Sequence, residues 1–115
     1  MPDYKVKMNF RFEPKKFETA GLTPVASDLV KPPCVQECPI QLEARVKNIF
    51  VLGKPEDYLS TVEVIIIRTH VADYLLNPEK RHHIDPDKWK PLIMNFLEFY
   101  GLGEQVHPSR LAEVF

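Results

Sequence analysis

The chain has 115 residues, 44% of them apolar and 27% charged, with a formal net charge of −1. That length holds one small domain or part of a larger one, and the balanced charge excludes a general electrostatic attraction to nucleic acid or anionic membrane. No apolar run spans a bilayer, and the opening MPDYKVKMNF lacks the apolar core of a signal peptide, so no membrane segment and a cytoplasmic location are expected.

Residues 1–38 read as an irregular lead-in to a single domain covering 1–115. Asp3 to Asn9 has room for two helical turns, and Lys15 to Ala20 for another that Gly21 would close as a left-handed C′ residue. LTPVASDLVKPP then reads as an extended connector, with Lys31 pushed out of helical geometry by Pro32. The 11 prolines of the chain keep regular elements short or few.

From Pro39 the pattern changes. Ile40, Leu42, Ala44 and Val46 alternate with Gln41, Glu43, Arg45 and Lys47, a period of two that predicts a strand with apolar residues inward and charged residues outward. The phase breaks at Asn48 before Ile49-Phe50-Val51-Leu52, which points to a bulge or a stretch covered on both faces. Gly53 to Asp57 reads as a turn, and TVEVIIIRTHV as a returning strand that is apolar on both faces at its centre. The expectation is a long β-hairpin, 39–52 with 59–74, inside the segment 39–74. A lone hairpin is marginal in water, so residues 1–38 or another chain must cover it; another chain, in an obligate association, is the preferred expectation.

The tail, 85–115, reads as helical. Asp85-Pro86-Asp87 has the features of a helix start, and Trp89, Leu92, Ile93, Phe96, Leu97 and Tyr100 fall on one apolar stripe closed by Gly101. An amphipathic helix over 86–100, kinked at Pro91, is expected, with a last short helix from Pro108. The fold class is therefore mainly β with some α.

Few residues suggest chemistry by spacing. Cys34 and Cys38 have no second pair at zinc-finger distance, and adjacent His82 and His83 sit in a charged run, so no metal site is expected. Cys38 reads better as a buried structural thiol than as a nucleophile, because nothing near it in sequence would lower its pKa. There is no GxGxxG and no P-loop among only four glycines. Arg110 could meet a phosphate but reads as well as a surface residue; Trp89, Phe96, Phe99 and Tyr100 could wall a flat ring but fit a core stripe better, with Phe99 off that stripe.

Several segments together resemble the flavin reductase-like family. They are Met8-Asn9; Phe17, Glu18 and Ala20 to Pro24; Lys31 to Pro33; Cys38-Pro39 with Leu42-Glu43; VEVIIIRTHVAD; HIDPDKWKPL; and the ending YGLGEQVHPSRLAEVF. The resemblance covers residues 8–115 and implies the C-terminal half of an FMN-binding split β-barrel. Such proteins dimerise, bind FMN near the subunit interface and in many cases pass hydride from NAD(P)H to flavin. The resemblance places the first barrel strands, with most flavin contacts, before Met1, and the chain has Val64-Ile65 where many members have Gly-Glu. It leaves Tyr100 and Arg110 as the cofactor-binding candidates, and a homodimer or a complementing N-terminal half as the expected partner. A non-catalytic dimerising scaffold without flavin is the alternative.

Overall fold

The computed structural model describes residues 3–114. The chain divides into two compact units, the first ending at Ala72 and the second beginning at Asp73. The architecture is mainly β with few helices, in three separate two-stranded sheets that do not close on one another among the described residues. No helix among these residues is long and apolar enough to cross a membrane.

In the first unit, α1 (Asp3–Lys7) and α2 (Lys16–Ala20) are single short helices. Gly21 ends α2 at φ 66°, returning its N–H to the Glu18 carbonyl, the left-handed closure that a residue without Cβ makes without strain. The connector is not wholly irregular: β1 (Pro24–Val25) pairs antiparallel with β2 (Cys34–Val35). The Thr23 amide caps this pairing by donating to both carboxylate oxygens of Glu37 at 3.0 Å.

The hairpin dominates the unit. β3 (Ile40–Leu52) pairs antiparallel with β4 (Leu59–Val71), slightly shorter than the expected 39–52 with 59–74 because Asp73–Leu75 forms a 3₁₀ turn of the second unit. Gly53 at φ 70° opens the connection, where a Cβ would collide with the Asp57 carboxylate, and that carboxylate accepts the Lys54 amide at 2.8 Å. Two bulges interrupt the ladder. Glu43 pairs with Arg68 but Ala44 with Ile66, leaving Ile67 extra on β4; Val46 pairs with Val64 but Asn48 with Glu63, leaving Lys47 extra on β3. The second slip cancels the first, and it lies where the alternation breaks in the sequence. Lys47 and Asn48 both reach Glu63, at 2.7 and 2.5 Å, as two residues opposing one across a bulge should.

One expectation about the hairpin is reversed. Glu43, read as an outward charge, is buried with 1% of its surface accessible, while Leu42, read as inward, is 53% exposed. The lead-in covers the polar face of β3, and nothing among the described residues covers the far part of the apolar one.

The second unit differs more from expectation. No helix spans 86–100. The Asp85 carbonyl accepts from the amides of Lys88 and Trp89, giving a single turn. Pro91 then supplies no N–H and disfavours the helical region at Lys90, so the helix cannot propagate. The chain instead forms a small hairpin, β5 (Ile93–Asn95) with β6 (Glu98–Tyr100). Phe96 and Leu97 make its two-residue turn at φ 47° and 69°, with 95% and 87% of their surface exposed. The only helical geometry in the described tail past this hairpin is a 3₁₀ turn, Arg110–Glu113, capped by the Ser109 hydroxyl, which accepts from the Leu111 amide at 3.2 Å.

Candidate functional site

The sharpest constellation in the first unit is built around Glu43. Because Gln41, Glu43, Arg68 and His70 are cross-strand neighbours on one face, four polar side chains meet at the base of the hairpin. The segment between β1 and β2 folds onto that face. Its amides donate to the Glu43 carboxylate: Leu29 at 2.6 Å and Val30 at 3.2 Å to Oε1, Asp28 at 3.1 Å to Oε2. His70 Nε2 lies 2.5 Å from Oε2. An ionised carboxylate only accepts, so the imidazole nitrogen facing it carries the proton.

These contacts hold the Glu43 carboxyl down at about 2, chiefly through His70 and then the three amides, against burial, which acts to raise it. Asp28 completes the cluster by accepting from Arg68 at 2.7 Å, and its carboxylate stands 4.0 Å from His70 Nε2.

Asp28, Glu43 and His70 offer three ligand atoms within 4.8 Å of one another. Their partners argue for a brace instead of a cation site. The Glu43 oxygens already accept four donors, and the Arg68 guanidinium sits where a cation would feel repulsion. What the cluster does is fix a loop to a strand.

That loop also shapes a cleft. Ser27 donates its only hydroxyl proton to the Pro32 carbonyl at 2.5 Å, so the Cys34 thiol, 3.4 Å away, is the donor in the Ser27–Cys34 contact. Gln41 Nε2 ties the strand to the Val35 and Cys38 carbonyls at 2.8 and 3.0 Å. Ser27, Pro33, Cys34, Cys38, Ile40 and Leu42 are among the residues lining a cleft of about 360 Å³. Both cysteines are free; Cys34 is half-buried, and Cys38, expected to be buried, is exposed.

A flavin mononucleotide needs a flat apolar slot and donors or cations for its phosphate. The cleft lining contains neither lysine nor arginine. A second hollow of about 400 Å³, in the second unit, has Lys90 but also Asp87 and Glu104. Neither hollow by itself fits the phosphate.

The residues nominated from the resemblance lie in the second unit. Tyr100 is on β6, paired with Ile93, and Arg110 begins the 3₁₀ turn; both are exposed, and no hydrogen bond joins them among the described residues. Phe99 is exposed on β6 as well. The Glu43 cluster was missed in the sequence because strand alternation alone assigns Glu43 outward. A usable signal was present: a glutamate and a histidine two positions off direct pairing across a predicted hairpin are diagonal neighbours.

No protein-family model matches the chain. Over 106 residues it is 41% identical to "Uncharacterized protein YdfE" of Bacillus subtilis (strain 168), covering 92% of this chain and 50% of that protein. Its structure is similar to the crystal structure of nitrilotriacetate monooxygenase component B from Bacillus cereus, with a TM-score of 0.69 and 28% identity over 81% of this chain and 47% of that one. The chain thus spans about half the length of each.

Proposed function

We propose that this chain is the wall-building part of a flavin reductase-like oxidoreductase, binding FMN and accepting hydride from NAD(P)H only as part of a completed assembly. The observation that carries the reading is the backbone similarity to a monooxygenase component at a TM-score of 0.69, together with the sequence resemblance over residues 8–115. Flavin would supply the redox chemistry, and the protein would position and tune it. A split β-barrel, completed by a second copy or by a complementing N-terminal half, is the architecture this reading requires. Tyr100 and Arg110 remain the proposed cofactor contacts from this chain, with the cytoplasm as the site of action.

The competing reading, a dimerising scaffold without flavin, draws on the composition of the two hollows, neither of which suits a phosphate. Flavin fluorescence separates the two. The chain alone should leave FMN fluorescence unchanged at tens of micromolar, on the order of the weak end of cofactor affinities. The completed assembly should quench it and oxidise NAD(P)H with flavin present. Quenching by neither preparation would overturn the flavin reading.

A further inference from the structure

Two thiols border the cleft beside β3, and the proposed flavin chemistry uses neither. Cys34 lies on β2, in register with Val25, and its sulfur donates to the Ser27 hydroxyl at 3.4 Å. Cys38 lies two residues before β3 and is exposed; among the described residues nothing bonds its sulfur. Both thiols are free, and both line the same cleft of about 360 Å³.

The backbone between them is folded and braced. The Cys38 amide donates to the Val35 carbonyl at 3.0 Å, closing a turn over 35–38 whose ends lie within about 7 Å of each other. Gln41 Nε2 clamps the carbonyls of the same two residues at 2.8 and 3.0 Å. Pro33 before the first cysteine and Pro39 after the second fix φ on either side, and the Pro39 carbonyl accepts the Ala72 amide at 2.8 Å. A disulfide spans about 4.4–6.8 Å between Cα atoms, a range that a closed turn reaches and an extended five-residue stretch, about 13 Å from end to end, does not.

The surroundings select the reagent and the order of events. None of the residues lining the cleft is charged, so it suits an uncharged oxidant. The exposed, unbonded Cys38 sulfur is free to rotate and is the one an oxidant reaches first; Cys34 is half-buried in the same cleft. A disulfide closed at so exposed a place is of the reversible kind, reduced at rest in a cytosol-like environment.

We infer that Cys34 and Cys38 form a redox-active dithiol that exchanges with uncharged low-molecular-weight disulfides. The Cys38 thiolate attacks one sulfur of the small disulfide; that S–S bond breaks, a mixed disulfide forms on Cys38, and the first small thiolate leaves. The Cys34 thiolate then attacks Cys38 Sγ and the second small thiolate leaves, the two departing thiolates taking up the two protons that the cysteines release. The protein gives up two electrons and the small disulfide gains them. Flavin takes no part, so the site stands apart from the proposed function.

The test equilibrates the full chain, without FMN, in mixtures of 2-mercaptoethanol and its disulfide, alkylates the free thiols and reads the products by mass. The expected product is a single chain lighter by two hydrogens that takes up no alkylating agent. Its oxidation constant should be at least about tenfold greater in buffer than in urea, because the folded turn holds the thiols together. Cys34→Ser should stop at the mixed disulfide on Cys38, whereas in Cys38→Ser the half-buried Cys34 should react at least about tenfold more slowly. Equal constants in buffer and urea would overturn the inference, as would disulfide-linked dimers, small-thiol adducts on both cysteines, or two thiols still free in the most oxidising mixture. The comparison of buffer with urea uses the natural chain and holds whether or not a variant folds.

Discussion

His70 reaches Glu43 diagonally across the β3–β4 ladder, its Nε2 2.5 Å from Oε2, while the same carboxylate receives the amides of Asp28, Leu29 and Val30. One side chain thus joins both strands of the hairpin to the lead-in. Replacing it tests whether that junction holds the loop. In Glu43→Gln the new NH₂ group faces other donors, and the 28–30 amides should exchange about 10- to 100-fold faster, read by hydrogen-exchange mass spectrometry. Unchanged exchange would show that the loop is held by other contacts.

The same junction predicts an acid dependence. The Glu43 carboxyl is depressed from its ordinary value of 4.5 to about 2 in the folded chain. Its contribution is therefore complete above pH 4.5 and fades as pH falls toward 2, because the unfolded chain takes up the proton first. The stability difference between the natural chain and Glu43→Gln, measured by urea denaturation, should be flat from about pH 6 to 5 and shrink between about 4.5 and 2. A difference constant across that window would contradict the assignment.

The tip of the second hairpin predicts a gain. Phe96 and Leu97 both adopt positive φ, which costs a bulky residue about 1–2 kcal/mol each, and neither is buried. The double substitution Phe96→Asn with Leu97→Gly supplies the Asn-Gly pair that such two-residue turns favour. The variant should be more stable by about 1–2 kcal/mol in thermal or urea melts.

At the other hairpin, Gly53→Ala should cost about 1 kcal/mol or more. The residue sits at φ 70°, and the Asp57 carboxylate it would strike is pinned by the Lys54 amide. Urea melts of Gly53→Ala and of Gly53→Asn, which tolerates this backbone better, should rank in that order.

The exposed face gives a prediction for the chain without its covering. Val64→Thr and Ile66→Thr keep the β-branched shape and remove nothing buried, so stability should stay within about 0.5 kcal/mol. Light scattering at equal concentration should fall. A loss of several kcal/mol would mean that the face is already covered.

Period-two alternation made β3 legible in the sequence, down to the phase break at Asn48, and Gly21 announced the end of α2. The direction of burial was not legible, because alternation separates two faces without saying which is covered; Glu43 is inward since the lead-in lies on its side. The tail misled for a different reason. Ile93, Phe96, Leu97 and Tyr100 satisfy a helical stripe, yet the same four residues suit a tight hairpin in which Ile93 pairs with Tyr100 and the middle two turn the chain. Pro91 decided between them. The cluster that organises the first unit combines Asp28 with His70, far along the chain, and no local pattern announces so distant a pairing.

Ile67 touches none of the cluster's hydrogen bonds, yet it sets the count that brings His70 to Glu43. Were Ile67 to take its place in a regular alternation instead of bulging, the even-numbered side chains of β4 would all point the same way, and Arg68 and His70 would leave with Val64 and Ile66 for the apolar side. The chain carries a spacer that lets a greasy strand end in a polar grip. Straightening that bulge, with Ile67 still in the strand, would disconnect the loop while leaving every residue of the junction in the sequence.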